Sequence, residues 1–212
     1  MRVSELFTSI QGESTYAGLP CVFIRLTGCN LRCDYCDTQY AYEGGTDMTV
    51  DNVIHWVRGT GVGLVEVTGG EPLVQAEEAT SLIGRLLDER YKVLVETNGS
   101  RSIADIDRRA VIILDVKTPG SGMSGEMDFS NFGHVKASDE IKFVICNRGD
   151  YDWSKDVIAD YGLNGKCTLL FSAAAGRLPA RELVEWVLGD GLDVRLNVQI
   201  QKYIFGPGER GV

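Results

Sequence analysis

Short, near-continuous apolar runs alternate with amphipathic segments along most of this chain, and that alternation leaves few folds open. Residues 22–26, 64–67, 93–95, 111–114, 141–145, 169–171 and 194–200 are rich in Val, Ile, Leu and Phe. Strands that read as continuous apolar runs, not as apolar–polar alternation, belong to parallel sheets covered by helices. The helices are equally visible. Thr49 is placed to cap a helix in which Val50, Val53, Ile54 and Val57 fall at i, i+3, i+4 and i+7. Ala79, Leu82, Ile83, Leu86 and Leu87 share one face of a second, and further helices are expected over 151–161 and near 180–188. The expected fold is therefore α/β, with about six mostly parallel strands. That is too few for an eight-stranded barrel, so a partial, incomplete β/α barrel is the better fit. No repeat, low-complexity tract or linker divides the 212 residues, which predicts a single domain over 1–212. Residues 118–139 form the one long irregular stretch, of a length that is usually functional.

Three of the six cysteines fall within eight positions, at Cys29, Cys33 and Cys36, with Tyr35 just before the last. Three is one ligand short of a closed structural zinc site. A zinc reading needs a distant fourth ligand among Cys21, Cys146, Cys167, His55 and His134. A cubane of four irons held by three thiolates instead keeps one iron open for chemistry. Cys21, Cys146 and Cys167 sit in or beside apolar runs and read as core residues. Clustering without pairing argues against a secreted disulfide framework.

Charge and hydropathy exclude other classes. With 21 Lys and Arg against 30 Asp and Glu the net charge is −9, which leaves no basic surplus for general nucleic-acid binding. No run approaches 18 apolar residues, and the charged start Met1-Arg2 is not followed by a long apolar stretch. No membrane span and no signal peptide are expected, and a reducing cytoplasm suits a thiolate cluster.

In parallel sheets, function gathers at the carboxyl ends of strands. The cysteine loop follows the first long run, Gly69-Gly70-Glu71-Pro72 the second, Thr97-Asn98-Gly99 the third and Asp115-Val116-Lys117 the fourth. The Gly-Gly pair allows a close backbone approach to a ligand, or forms only a strand-to-helix turn with Pro at the first helical position. Arg25 is a charge inside an apolar strand, suited to bidentate capture of a carboxylate or to a structural ion pair.

The C-x3-C-x2-C loop followed by Gly-Gly-Glu resembles the radical S-adenosylmethionine (SAM) superfamily. Within it, Gln11-Gly12-Glu13, Cys36-Asp37-Thr38, Glu96-Thr97-Asn98-Gly99, Ser121-Gly122-Met123 and the tail Gln199…Gln201-Lys202-Tyr203 resemble the 7-carboxy-7-deazaguanine synthases. The resemblance runs from residue 5 to residue 207. It implies a magnesium-dependent ring contraction of 6-carboxy-5,6,7,8-tetrahydropterin with release of ammonia, in queuosine precursor biosynthesis. By the same resemblance Cys29, Cys33 and Cys36 hold a [4Fe–4S] cluster whose open iron is chelated by SAM, and Thr38 is a Mg²⁺ ligand. SAM would touch Tyr35, Cys36, Asp37, Gly70, Glu71, Asp115, Val116, Lys117, Ser172, Ala173, Ala174 and Ala175. Substrate would touch Ile10, Gln11, Gly12, Glu13, Arg25, Thr68, Gln201 and Pro207, with residues 198–212 as a substrate-contacting tail. Glu13 is expected to accept from an exocyclic amine of the pterin. Relatives often carry His at the position of Gln201, and in some the chain stops at the equivalent of Pro207. Here it continues, and Glu209 or the Val212 carboxylate is expected in that place. An external flavodoxin- or ferredoxin-type electron donor and a homodimer are further implications. A glycyl-radical activase and a non-catalytic zinc module are the alternatives.

Overall fold

The computed structural model describes residues 1–206 and 208–211. One nine-stranded sheet organises them: β1 (Arg2–Ile10), β2 (Pro20–Leu26), β3 (Thr46–Asp47), β4 (Leu64–Gly69), β5 (Lys92–Thr97), β6 (Val111–Val116), β7 (Glu140–Ile145), β8 (Thr168–Ala173) and β9 (Arg195–Leu196), in spatial order β3-β1-β2-β4-β5-β6-β7-β8-β9. From β2 to β9 every neighbouring pair is parallel, while β1 and β3 add an antiparallel edge. The sheet does not close, as expected of a partial barrel.

Helices α1 (Val50–Thr60), α2 (Ala76–Asp88), α3 (Arg148–Asp160) and α4 (Ala180–Asp190) cover the parallel strands, and a short α5 (Ile200–Ile204) is the last helix among the described residues. The Thr49 hydroxyl caps α1 by accepting from the Asn52 N–H at 3.1 Å, and Gly61 ends it in the left-handed region at φ 70°. Val53, Ile54 and Val57 of α1 and Ala79, Leu82, Ile83 and Leu86 of α2 are buried against Val22, Ile24, Val65, Val67, Val93 and Val95. The anticipated strand over 194–200 is a two-residue strand, a bend and then α5. At Asn197 the N–H makes a last bond to Phe171 O of β8 at 2.8 Å, and the side chain binds the Ser14 N–H and the Ser172 hydroxyl, fixing the point at which the chain leaves the sheet.

The inner face of the sheet changes character along its strands. At the amino ends Cys21, Phe23, Leu64, Leu94, Val111 and Ile113 form a small apolar cluster, with Phe7 stacked on Phe23 at 4.8 Å between ring centroids. At the carboxyl ends the inward positions are Arg25, Glu66, Thr68, Glu96, Asp115, Lys142 and Ser172, all lining one cleft. These residues alternate with Ile24, Val67, Val95, Leu114 and Phe143, which point into the helix-covered core.

Candidate active site

The register between β2 and β4 assembles the centre of the cleft. Arg25 lies opposite Thr68 and Leu26 opposite Gly69, so the cysteine loop and the Gly-Gly turn leave the sheet side by side. The Glu71 N–H donates to Gly28 O at 2.8 Å. A Cβ on Gly70 would sit 2.5 Å from Gly28 O and 2.7 Å from Cys29 Cβ, and one on Gly69 would sit 2.5 Å from Leu26 O. The two glycines therefore admit the backbone of the cysteine loop, a tighter constraint than a general need for ligand access.

Cys29, Cys33 and Cys36 are free thiols and all line the cleft. Among the described residues no three His, Cys, Asp or Glu side chains converge as a single metal ion requires. The Leu31 N–H and the Asn98 side-chain amide point at Cys29 Sγ, at 3.4 and 3.8 Å. Amide donors of this kind suit a cluster thiolate. Burial raises the Cys29 and Cys33 thiols, so a bound cation is what would hold them as thiolates. The residues fit the iron–sulfur group.

Beside them Asp115 pairs with Lys117 at 2.9 Å and with Lys142 at 3.3 Å. Burial alone would raise the Asp115 carboxyl, but Lys117 and Lys142 hold it below its ordinary range. Asp115 Oδ1 and the Tyr35 hydroxyl are buried without a hydrogen-bond partner among the described residues, two polar atoms of the kind a bound ligand satisfies. Tyr35, Cys36, Asp37, Gly70, Asp115, Lys117, Ser172, Ala173, Ala174 and Ala175 line the cleft together. Two residues of the expected SAM set do not. Glu71 is fully buried, and its carboxylate accepts from Leu73 N at 2.9 Å, Thr97 Oγ1 at 2.8 Å and Asn98 N at 2.6 Å. The Val116 side chain packs in the helix-side core, leaving only its backbone to face a ligand.

The other half of the cleft is made by the two ends of the chain. Residues 11–19 cross the inner face from the β1 edge. Gln11 Nε2 donates to Glu66, Thr15 binds Glu140 of β7, and the Ser14 N–H donates to Asn197 Oδ1 at 2.7 Å. Glu13 receives Lys142 at 3.2 Å, Asn197 at 3.1 Å and Gln199 at 2.6 Å. Burial opposes its ionisation, but Lys142 and these donors keep it below the usual carboxylate range. Gln201 fills the space where a Cβ on Gly12 would lie, 1.9 Å from Gln201 Oε1, which explains the glycine. That Oε1 is itself buried without a partner among the described residues. Lys202 pairs with Asp37 at 2.6 Å, and Arg210 stacks over the Tyr40 ring at 4.0 Å.

Ile10, Gln11, Gly12, Glu13, Arg25, Thr68, Thr38, Gln201 and Glu209 all line this half. Pro207 and Val212 lie outside the described residues. The Gln11 side chain is more committed than expected: besides binding Glu66 it accepts from the Glu13 N–H at 2.9 Å. Arg25 is likewise paired, its Nε with Glu5 at 2.6 Å and its NH1 with Gly69 O at 3.3 Å, while Tyr40 donates to the same Glu5 oxygen. Its remaining guanidinium N–H groups are left for the cleft. The sequence reading missed Glu5, Glu66, Glu96 and Lys142 as site residues. The signal that singled out Arg25, an ionisable residue inside an apolar strand, applies equally to Glu66, Glu96 and Lys142.

The whole cleft measures about 960 Å³. That is near the upper end for ligand sites and leaves room for a cofactor and a substrate together.

Comparison with known proteins bears on family and fold. The radical SAM superfamily matches over residues 23–171. Proteins named 7-carboxy-7-deazaguanine synthase from Koribacter versatilis and Chlorobaculum tepidum are 42% and 44% identical, covering all of this chain and 100% and 97% of their own lengths. The crystal structure of QueE from Escherichia coli superposes with a TM-score of 0.77 over 93% of each chain at 20% identity. That of Streptococcus suis SuiB superposes with a TM-score of 0.53 over 82% of this chain and 47% of its own, at 13% identity. Fold, cysteine loop and matched segment define a radical SAM enzyme, and SAM with a [4Fe–4S] cluster are the cofactors this membership implies. Within that superfamily the chain belongs to the 7-carboxy-7-deazaguanine synthase family. No helix among the described residues is long and apolar enough to cross a membrane.

Proposed function

We propose that this enzyme contracts the ring of 6-carboxy-5,6,7,8-tetrahydropterin to 7-carboxy-7-deazaguanine and releases ammonia, with Mg²⁺ in the site. The carrying observation is that the cysteine loop and the paired Arg25 and Glu13 open into one cleft large enough for cofactor and pterin together. In this reading Cys29, Cys33 and Cys36 hold the cluster. Gly70, Asp115, Lys117 and residues 172–175 hold SAM. When bound, the cofactors supply the 5′-deoxyadenosyl radical that takes a hydrogen from the pterin.

The protein's part is positioning and exclusion of water. Glu13, ionised and pointed by Lys142, Asn197 and Gln199, accepts from the exocyclic amine. Arg25, braced by Glu5, offers its remaining N–H groups to the carboxylate. The orphaned Gln201 Oε1 is a further acceptor at the pterin edge. Thr38, whose hydroxyl lies 3.0 Å from Asp37 Oδ1, contributes one oxygen to Mg²⁺, with waters and substrate oxygens filling the octahedron. The reading carries with it an external flavodoxin- or ferredoxin-type electron donor, a cytoplasmic setting and a homodimer.

Anaerobic reconstitution followed by incubation with SAM, dithionite and the carboxypterin tests this directly. The ring-contracted product is expected, and its absence with an intact cluster would refute the substrate assignment. Two variants sharpen the test. Arg25→Met is expected to weaken pterin binding roughly 10- to 100-fold, the worth of one charge-assisted pair, with SAM affinity nearly unchanged. An analogue lacking the carboxylate should bind the variant and the unmodified protein alike. Thr38→Val removes one oxygen at constant volume. Turnover should fall and lose most of its Mg²⁺ dependence, whereas an unchanged Mg²⁺ titration would place the ion elsewhere.

A further inference from the structure

One acid of the cleft belongs to none of the motifs. Glu66 sits in the middle of β4, 3% exposed, with Val65 and Val67 on either side packed in the core. Its Oε2 accepts from Gln11 Nε2. The Gln11 amide is fixed in turn, because its own oxygen accepts from the Glu13 N–H. Glu66 Oε1 has no hydrogen-bond partner among the described residues and is not sealed off, since the residue lines the cleft.

The groups facing Glu66 are Cys21 and Arg25 on β2, Glu96 on β5, Lys142 on β7 and Glu13 on the 11–19 segment, with Asp115 of β6 behind Lys142. The cations among them are already paired, Arg25 with Glu5 and Lys142 with Glu13, Glu96 and Asp115. Burial first, and then the Glu96 carboxylate, push the Glu66 carboxyl up to about 8. Glu13, a few residues from its brace Gln11, is held in the opposite state. Two acids driven apart in this way offer a ligand one acceptor and one donor.

We propose that Glu66 reads the bound heterocycle: with Oε2 committed to Gln11, its Oε1–H donates a hydrogen bond to a ring nitrogen or carbonyl oxygen of the ligand. The inference rests on the pterin reading above. It makes Glu66 a specificity-determining residue that requires an acceptor where it points.

The test is anaerobic calorimetric titration of cluster-loaded protein with 6-carboxy-5,6,7,8-tetrahydropterin at pH 7 and pH 9, for the unmodified protein and Glu66→Gln. The amide copies the neutral acid, accepting from Gln11 and donating into the cleft. The unmodified protein should lose about tenfold in affinity between the two pH values, as a donor titrating near 8 is lost. Glu66→Gln should match it at pH 7 and lose about tenfold less on going to pH 9. Titration of the ligand or of other residues appears in both proteins and cancels. A tenfold weaker Glu66→Gln at pH 7, or superimposable profiles, would overturn the proposal while leaving the substrate reading intact. No binding by the unmodified protein at either pH would overturn both. Infrared spectroscopy of the unmodified protein gives an independent answer if the variant does not fold. A protonated-carboxyl band at pH 7 that shifts when the pterin binds is expected, and its absence would refute the assignment.

Discussion

Replacing Cys29, Cys33 or Cys36 with serine is expected to abolish the iron–sulfur cluster, taking iron from about four per chain to below one. Replacing Cys21, Cys146 or Cys167 should leave the iron content unchanged. The division follows from position. The first three thiols open into the cleft, whereas Cys21 lies in the apolar cluster at the amino ends of the strands, and Cys146 and Cys167 fall outside the cleft lining. Iron and sulfide analysis of anaerobically reconstituted variants checks this. Loss of the cluster in Cys146→Ser, with retention in Cys33→Ser, would contradict the assignment.

Lys142→Met should produce the largest loss of folding stability of any single change in the cleft. One buried ammonium faces Glu13, Glu96 and Asp115, and its removal leaves Glu13 and Glu96 without their cation, while Asp115 keeps only Lys117. Breaking a buried pair from one side costs about 3–5 kcal/mol. The sign of the pH dependence also follows. With the ammonium present, Glu13 and Asp115 ionise more readily than usual, so their contribution is present above the unfolded-state pKa and is lost as pH falls. Without it burial opposes the ionisation of Glu13 with no cation to offset it, so the deficit should shrink from pH 8 to pH 5 as that carboxylate takes up a proton. Denaturant unfolding of the cluster-free protein at the two pH values measures both effects. Adding Glu96→Gln to Lys142→Met should recover part of the loss, because one stranded charge disappears. A deficit under about 1 kcal/mol at pH 8 would mean that water reaches the carboxylates freely.

The helices and the parallel strands were legible because each follows from a local pattern. The Thr49 cap, the Val53–Ile54–Val57 face and the Ala79–Leu82–Ile83–Leu86 face all appear where the 3.6-residue period puts them. What stayed hidden depends on partners remote in sequence. Strand β1 is half-exposed and mixed in composition, and its pairing with β2 is what makes it a strand. β9 pairs for two residues only, and at Asn197, whose N–H still donates to Phe171 O at 2.8 Å, the side chain ties the segment to Ser14 and Ser172. In the site, the motif residues Gln11, Gly12, Glu13, Gly70 and Asp115 all line the cleft, yet two motif side chains are committed to protein neighbours. Glu71 turned out to anchor the turn between the β4 and β5 ends, and Gln11 to brace Glu66. Lys142, Glu96 and Glu66 were hidden in plain sight. Each lies in a run that reads as apolar on average, and only the two-residue period of a strand reveals that it faces inward.

The unclosed edge of the sheet has a mechanical consequence. Between neighbouring strands the protein is held by continuous backbone ladders, and opening any of them means breaking a row of bonds at once. Across the gap between β1 and β9 the join is different: the Ile200 N–H to Gly12 O, with side-chain contacts from Asn197 and Gln199 to Ser14 and Glu13. Each such bond is worth about 0.5–1.5 kcal/mol net, because water can replace it. The sheet is thus stiff along its ladders and softer along this one seam, which borders the half of the cleft lined by Gly12, Glu13 and Gln201. There the wall can part without unzipping any strand.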